Sequence, residues 1–172
     1  MHRAAMTGDP DNITVEIVAE NDYPQWLALW KNYQTFYRVD IAESTTRLTW
    51  NRFFNPIEPV YCAVAKENGT VVGLVHYLFH RSTWADTDYC YLEDLFVSAD
   101  VRGKQIGKRL IEHVQRQARK RHCAHLYWHT HETNLRGQRL YDWIASKSGM
   151  IEYRMPLRLA RAGTAATSPP FT

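Results

Sequence analysis

One stretch decides the fold: residues 91–110, which read YLEDLFVSADVRGKQIGKRL. Its first part, up to Val97, is rich in aromatic and branched residues and predicts a β-strand. Its last part begins a helix near Ile106, and the connection between the two carries glycines. A glycine-bearing loop that leads into a helix exposes unpaired N–H groups at the positive end of the helix dipole. The stretch therefore predicts a phosphate-binding site.

Two familiar phosphate-binding patterns do not fit this loop. Walker A requires four residues between its glycines and then Lys-Ser/Thr, whereas Gly103 and Gly107 have three residues between them and Lys108-Arg109 follows. The dinucleotide-binding pattern G-x-G-x-x-G does not occur either. The pattern that fits, read from Arg102 to Gly107, is R-x-x-G-x-G/A.

Basic charge is concentrated around the same loop. The chain has a net charge of +3, from 21 Lys and Arg and 18 Asp and Glu, but residues 102–121 hold eight Lys or Arg and one acid, Glu112. A basic stretch on a near-neutral background favours an anionic ligand such as phosphate. Two alternatives stay open: a solvated helix face, and a nucleic-acid-binding helix over residues 106–121, although no nucleic-acid motif accompanies it.

Periodicity and turn signals predict an α/β (α+β) fold with the element order β-α-α-β-β-β-α-β-α-β, in which a mixed sheet has helices on both faces. Asp22 is expected to cap the first helix, Asn68-Gly69 to close a hairpin, and Gly149 to stop the last helix. The predicted strands are Ile13–Ala19, Val60–Ala65, Val71–His80, Tyr89–Val97, His125–Thr130 and Glu152–Leu157. The predicted helices are Asp22 to about Arg38, Glu43–Phe54, Ile106–Arg121 and Asn134–Lys147.

Length and composition predict one soluble domain, over residues 13–157, between flexible segments at 1–12 and 158–172. No stretch approaches the ~20 apolar residues of a membrane span, and the first residues lack the apolar core of a secretory signal. Cys62, Cys90 and Cys123 are too few and scattered for a disulfide framework and are interpreted as small buried hydrophobes. A cytoplasmic location is expected.

Three sequence blocks taken together resemble the GNAT superfamily of N-acetyltransferases. They are the strand at 91–97, the loop at 102–107, and Thr133-Asn134-x6-Tyr141. The string Tyr-Leu-Glu-Asp-x-Phe-Val is most similar to the diamine acetyltransferase branch and its histone-acetyltransferase-like relatives. The resemblance implies acetyl-CoA as cosubstrate, no metal, and direct transfer of an acetyl group to a primary amine in a ternary complex.

The resemblance also implies how acetyl-CoA is held. The backbone of Leu95, Phe96 and Val97 would pair with the pantetheine arm, and the N–H of Leu95 or Phe96 would polarise the thioester carbonyl. Asn134 would bond the pantetheine amide in addition to capping its helix. The loop residues that would wrap the pyrophosphate, mostly through N–H groups, are Arg102, Gly103, Lys104, Gln105, Ile106, Gly107 and Lys108. Gln105 departs from the family pattern, which has Gly there, and can still supply its N–H if its φ is negative.

Two residues would carry the chemistry. By the resemblance, Tyr141 protonates the departing thiolate and Glu93 accepts the proton of the amine. On periodicity alone, Tyr141 is a half-buried residue on the helix side of Gly137, Leu140 and Ile144. Strand alternation would place Glu93 and Leu95 on one sheet face and Asp94 on the other.

The acceptor is not determined by the sequence. A polyamine, an amino acid, an aminoglycoside and a protein lysine all offer a primary amine. Three residues are expected to contact it: Tyr37, Asp94 and His129. His129 and His131 could form part of a metal site by spacing, but they are interpreted as structural or acceptor-site residues. The family resemblance also allows a homodimer, and a non-catalytic acyl-CoA sensor on the same fold is a further alternative.

Overall fold

The computed structural model describes residues 12–101 and 104–157. The expectations for residues 1–11, Arg102, Gly103 and 158–172 lie outside the described residues. The strands are β1 (Ile13–Ile17), β2 (Val60–Glu67), β3 (Thr70–Arg81), β4 (Asp88–Val97) and β5 (Leu126–Trp128). The helices are α1 (Tyr23–Tyr37), α2 (Glu43–Arg52), α3 (Ile106–Lys120) and α4 (Leu135–Ile144).

The strands form one mixed sheet in the order β1-β2-β3-β4-β5. The first four pair antiparallel, and β4 pairs parallel with β5. Asn68 and Gly69 form the predicted hairpin turn with φ values of 51° and 79°, which is the pair of positive angles that a type I′ turn requires. The mixed sheet expected from the sequence is therefore present.

Helices cover both faces of this sheet. On one face, α1 and α2 pack Trp26 and Trp50 against Leu74 of β3 in a continuous apolar cluster. On the other face, α3 places Ile106 and Leu110 close to Gly73. The buried side of α3 contains every residue of its predicted stripe: Ile106, Leu110, Ile111, Val114 and Ala118.

Asp22 precedes α1 but does not cap it in the predicted way, because its side chain makes no hydrogen bond to the first turn of the helix. The carboxylate is 3% exposed and lies 2.8 Å from Lys66 Nζ, and it accepts a hydrogen bond from the Ala19 N–H. The charge of Lys66 competes better for a buried carboxylate than a helix N–H does. Asp22 thus links the start of α1 to β2.

The chain divides into two compact units, the first ending at His129 and the second starting at Thr130. In the second unit α4 ends at Ile144, short of the predicted Lys147 and Gly149, because Ala145 turns to an extended conformation. The predicted strand Glu152–Leu157 is wrong, since these residues enter no ladder within the described chain. Period-2 alternation identifies residues that suit a strand, but a strand forms only where a partner supplies hydrogen bonds.

Strand β5 is shorter than predicted and half-buried rather than buried. In the described ranges every helix is too short or too polar to cross a membrane.

Candidate functional site

A β-bulge at Glu93 lies at the centre of the candidate site. Asp94 pairs with His76 of β3 and Leu92 pairs with Tyr77, so Glu93 is an extra residue without an opposite partner on β3. A bulge shifts the alternation of the strand by one residue. Asp94 pairs with His76 on the α1 face and Leu95 pairs with Val75, so Asp94 and Leu95 lie on opposite faces, as expected. Glu93 is close enough to Asp94, His76 and Tyr33 to interact with them electrostatically.

The same bulge determines which backbone groups leave the sheet. Before it, the Cys90 N–H donates to the His125 carbonyl of the segment leading into β5, so the backbone N–H and C=O groups of Cys90 and Leu92 point towards β5. After it, the Ser98 N–H donates to the Val72 carbonyl, so the backbone groups of Ser98 point towards β3. By alternation, Leu95 and Val97 direct their N–H and C=O groups away from β3.

The N–H and C=O groups of Leu95 and Val97 lie at an open edge of β4. In the part of the chain that the structure describes, β5 pairs with β4 over Cys90–Leu92 and no strand continues the pairing alongside residues 93–97. The half-buried segment from Leu95 to Val97 thus has an unpaired edge on its β5 side, although the same strand is paired on both sides before the bulge. An extended ligand arm with amide groups can add to such an edge as a strand does. Of the two predicted donors to a thioester carbonyl, Leu95 has the required direction and Phe96 does not.

The carboxylates at the bulge have different environments. Asp94 Oδ2 lies 3.0 Å from His76 Nδ1, and the Tyr33 phenol is close enough to the same carboxylate to interact with it electrostatically. Glu93 is exposed, and partial desolvation together with the charge of Asp94 raises the pKa of its carboxyl above the ordinary 4.5. A raised pKa suits Glu93 to accept a proton near neutral pH.

Aromatic rings of α1 border these carboxylates. Burial and the charge of Asp94 raise the pKa of Tyr33 and of Tyr37, so both phenols stay protonated. The two rings lie 4.8 Å apart between centroids, and Tyr33 contacts Phe96 edge-on at 6.1 Å. Tyr37, which was predicted to contact the acceptor, therefore lies in the electrostatic range of the carboxylates and is 37% exposed.

Helix α3 begins beside the loop that was predicted to bind phosphate. Gln105 precedes it with φ 57° and ψ 21°, so the condition of a negative φ is not met and the residue adopts the left-handed conformation that the family's Gly would adopt easily. Its side chain makes no hydrogen bond to the first turn of the helix, whose N–H groups lack helical partners. Ile106 is buried, whereas Gly107 and Lys108 are half-buried.

The basic side chains of this region have acceptors within the chain. Lys104 forms an ion pair with Glu67, and Arg109 donates to the Ile13 carbonyl at 3.0 Å. Arg121 lies over the rings of Tyr61 and Phe79. These contacts explain part of the basic stretch as structural and do not favour the nucleic-acid reading.

The second unit contains two further predicted residues on one helix. Asn134 caps α4: its Oδ1 accepts the Gly137 N–H at 3.1 Å, and its Nδ2 donates to Thr130 Oγ1 at 3.0 Å. Tyr141 is half-buried on α4, on the same side as Leu140 and Ile144 as predicted. The cap role predicted for Asn134 is confirmed.

Histidines near the end of β5 are engaged with neighbouring side chains. His129 Nδ1 lies 3.4 Å from the Tyr91 hydroxyl, and His131 Nδ1 lies 2.7 Å from Thr133 Oγ1. Within residues 12–101 and 104–157, no three His, Cys, Asp or Glu side chains are arranged to hold a metal ion.

Sequence reasoning missed His76 and Trp26 as parts of the site. The Trp26 Nε1–H donates to His76 Nε2 at 3.0 Å, across 50 residues of chain. The available signal was a single histidine in the apolar run VVGLVHYLF, since a buried polar side chain in a strand needs a partner.

Comparison with known proteins identifies relatives of this chain. The model of the Acetyltransferase (GNAT) family matches residues 26–143. The D-amino-acid N-acetyltransferase HPA3 of Saccharomyces cerevisiae is 33% identical over 146 residues, which cover 84% of this chain and 91% of that protein. Thialysine N-epsilon-acetyltransferase of Bos taurus is 37% identical over 77 residues, 45% of each chain.

Among solved structures, the aminoglycoside N-acetyltransferase AAC(6')-Iy in complex with CoA superposes with a TM-score of 0.72. It is 15% identical to this chain, and the superposition covers 84% of this chain and 94% of that chain. At this level of identity the likeness concerns the fold.

Proposed function

This chain belongs to the acetyltransferase (GNAT) family and is an N-acetyltransferase, and from that premise we propose that it acetylates the primary amine of a small acceptor by direct attack in a ternary complex. The observation that carries the proposal is the bulge at Glu93. It places an open backbone edge, at Leu95 and Val97, beside two carboxylates. An amine and an extended acyl carrier can therefore meet at one point of β4.

Acetyl-CoA fits the described residues at its pantetheine arm. The arm carries amides that can pair with the N–H and C=O groups of Leu95 and Val97, which point away from β3. The uncapped first turn of α3 supports an anionic group such as the pyrophosphate, and Arg102 to Lys108 are assigned to it by the motif. We assign Asn134 to the pantetheine amide from the same family pattern. When bound, acetyl-CoA supplies an acetyl group activated as a thioester.

The proton transfers are assigned to two side chains. Glu93 accepts a proton from the acceptor ammonium, either directly or through water, because its raised pKa suits a general base near neutral pH. The Leu95 N–H can donate to a carbonyl oxygen placed at the open edge. Tyr141 is assigned as the acid that protonates the leaving sulfur. That assignment rests on its place in the block Thr133-Asn134-x6-Tyr141.

The acceptor is proposed to be an amino acid or a similar small amine. D-amino acids and thialysine, which the names of the relatives give as substrates, both carry a primary amine. The carboxylates of Glu93 and Asp94 attract an ammonium group, and the exposed ring of Tyr37 can border its alkyl portion. His129, which follows β5 and whose Nδ1 lies 3.4 Å from the Tyr91 hydroxyl, is kept as a weaker contact.

The proposal is tested by measuring CoA release over a panel of D- and L-amino acids, thialysine, polyamines, aminoglycosides and a lysine-rich peptide. We expect small amino-acid amines to give the highest kcat/KM. Turnover of the peptide alone would contradict the small-acceptor proposal, and binding of acetyl-CoA without turnover of any amine would favour a non-catalytic sensor.

Tyr141→Phe tests the acid. It deletes one oxygen and keeps the ring, so kcat should fall by roughly 10²–10⁴-fold, with the KM for acetyl-CoA nearly unchanged because the lost contact matures in the transition state. Tyr153→Phe, at a position that is 88% exposed in the same unit, is the matched control. The rate should be taken from single-turnover experiments so that product release does not mask the chemical step. An unchanged single-turnover rate in Tyr141→Phe would show that Tyr141 is not the acid and has a packing role instead.

A further inference from the structure

We propose that His76 is a positioning residue that, together with Trp26, holds the Asp94 carboxylate in place to receive the ammonium group of the acceptor. The inference rests on the acetyltransferase function proposed above. It concerns two residues that lie outside all three sequence blocks, on β3 and α1.

His76 lies in the apolar interior. It is 2% exposed and has the rings of Trp30 and Phe53 at 5.0 and 4.9 Å between centroids. A polar ring at this depth destabilises the fold unless both of its nitrogens find partners. Both do, in Trp26 and Asp94.

The two partners determine where the ring carries its proton. The Trp26 indole nitrogen can only donate, so His76 Nε2 accepts and has no proton. A neutral imidazole then carries its proton on Nδ1, which donates to Asp94 Oδ2 at 3.0 Å. Trp26 and Asp94 thus select the same tautomer, in which Nδ1–H donates to the carboxylate.

This chain of bonds fixes Asp94 at the bulge. The Asp94 side chain is 15% exposed, and the Tyr33 phenol is close enough to interact with it electrostatically. A carboxylate offers about four acceptor positions, so the fixed donor of His76 leaves capacity for an ammonium group. A carboxylate that is already oriented loses less conformational freedom on binding than a mobile one.

The other titratable groups around His76 and Asp94 come from two strands and a helix. Glu93 on β4 interacts with both His76 and Asp94, Tyr33 and Tyr37 on α1 interact with Asp94, and the Cys62 thiol on β2 is buried near Asp94. None of them supplies a donor to His76 Nε2 in place of Trp26 among the described contacts.

A pair of substitutions at His76 separates positioning from packing. His76→Leu and His76→Asn both lose the bond to Trp26, but the amide N–H of the Asn variant can still donate to Asp94. We expect the KM for the amine to rise about tenfold in His76→Leu, the usual size of a lost hydrogen bond to a charged group. In His76→Asn it should stay within about threefold, and the KM for acetyl-CoA should stay within about twofold in both.

Two controls sharpen this test. His113→Leu removes another buried histidine, on α3, and should leave the KM for the amine unchanged. In an Asp94→Asn background, His76→Leu should add no further increase, because the carboxylate that it positions is gone. Equal amine KM values for His76→Leu and His76→Asn would overturn the proposal, and so would a full additional increase in the Asp94→Asn background.

A measurement without turnover tests the bond chain itself. Nitrogen-15 spectra of ring-labelled histidine, with His76 assigned by its loss in His76→Asn, should show a protonated Nδ1 and a bare Nε2. Trp26→Phe should shift the Nε2 resonance, because Nε2 then loses its hydrogen-bond donor, while Asp94 can only accept and keeps the proton on Nδ1. The opposite tautomer in the wild-type chain would refute the positioning role. Wild-type protein with the expected tautomer that acetylates no amine would instead contradict the proposed function, so the two failures are distinguishable.

Discussion

At the residue scale, Glu93 combines a proposed catalytic use with a stability cost. Its pKa is raised in the folded chain above the ordinary 4.5 by desolvation and by Asp94. A carboxyl with a raised folded pKa contributes stability that is fully present below the unfolded pKa and is lost as the pH rises through the folded value. At neutral pH the ionised Glu93 therefore opposes folding.

Glu93→Gln should show both effects. The melting temperature should exceed that of the wild type at pH 7, and the difference should vanish as the pH falls below about 4.5, where Glu93 is protonated in both states. Activity should fall most at low pH, where the acceptor is protonated, and recover partly as the pH rises. The measurements are thermal melts and kcat/KM profiles over the same pH range. An equal loss of activity at every pH would indicate a binding or structural role.

Gln105 is a second residue whose conformation is strained, because a residue with a side chain here adopts a backbone φ of 57°. Gln105→Gly should stabilise the fold by about 0.5 kcal/mol. Relief of about 1–2 kcal/mol of left-handed strain is offset by about 0.4–1 kcal/mol from the freer unfolded chain. Acetyl-CoA should also bind modestly more tightly, since the backbone can approach the pyrophosphate.

The matched control for Gln105 is His122→Gly, at φ 54° just beyond the other end of α3. It should give a similar gain in melting temperature and no change in the acetyl-CoA Kd from calorimetry. If both variants bind acetyl-CoA as the wild type does, Gln105 is already accommodated and the tightening is refuted.

At the element scale, Gly73 determines how closely β3, β4 and α3 approach one another. A Cβ at this position would lie 3.2 Å from the Phe96 carbonyl oxygen, 3.2 Å from Leu110 Cδ1 and 3.3 Å from Ile106 Cγ2. The carbonyl belongs to the backbone of β4 and cannot rotate away as a side chain can. One methyl group would therefore push apart the strand and the helix that flank the proposed acetyl-CoA site.

Gly73→Ala should lower the free energy of unfolding by about 1–2 kcal/mol, the usual cost of an overpacked core, and should weaken acetyl-CoA binding. Denaturant melts and calorimetric titration measure the two effects. Thr70→Ala, at an exposed position on the same strand, is the control and should change neither. Wild-type stability and affinity in Gly73→Ala would mean that β4 and α3 can shift freely relative to β3.

At the scale of the whole molecule, one buried acid connects the first helix to the sheet. Asp22 is 3% exposed and lies 2.8 Å from Lys66, whose side chain is 16% exposed and also contacts Glu16 at 2.6 Å. Hydrogen bonds to Asp22, and then to Glu16, raise the pKa of Lys66. The two acids thus share one cation but differ in burial, because the Glu16 side chain is 50% exposed.

Asp22→Asn should destabilise the molecule by about 3 kcal/mol, because it breaks a buried charge pair from one side. Glu16→Gln should cost less than about 1 kcal/mol, the range of exposed pairs, and its effect should fade in high salt. Urea unfolding at low and high salt measures both. Equal costs for the two variants would show that burial does not decide the strength of this network.

The sequence by itself determined the parts of this protein that depend on local preference. Asn68-Gly69 closes its hairpin because few residue pairs tolerate two positive φ values. The buried side of α3 follows from the spacing of its apolar residues, and Asn134 caps α4 because its side chain reaches the first turn. The family, too, was recognisable from residues close together in the chain, at 91–107 and 133–141.

Only the tertiary structure decided the geometry of the site. The bulge at Glu93 arises from the register of β4 on β3, and it interrupts the alternation that would relate Glu93 to Asp94 and Leu95. The Trp26–His76 bond joins residues 50 positions apart, and the fate of residues 152–157 depends on whether a ladder partner exists. Alternation and propensity act over a few residues, whereas register and buried hydrogen bonds are set by which distant segments pack together.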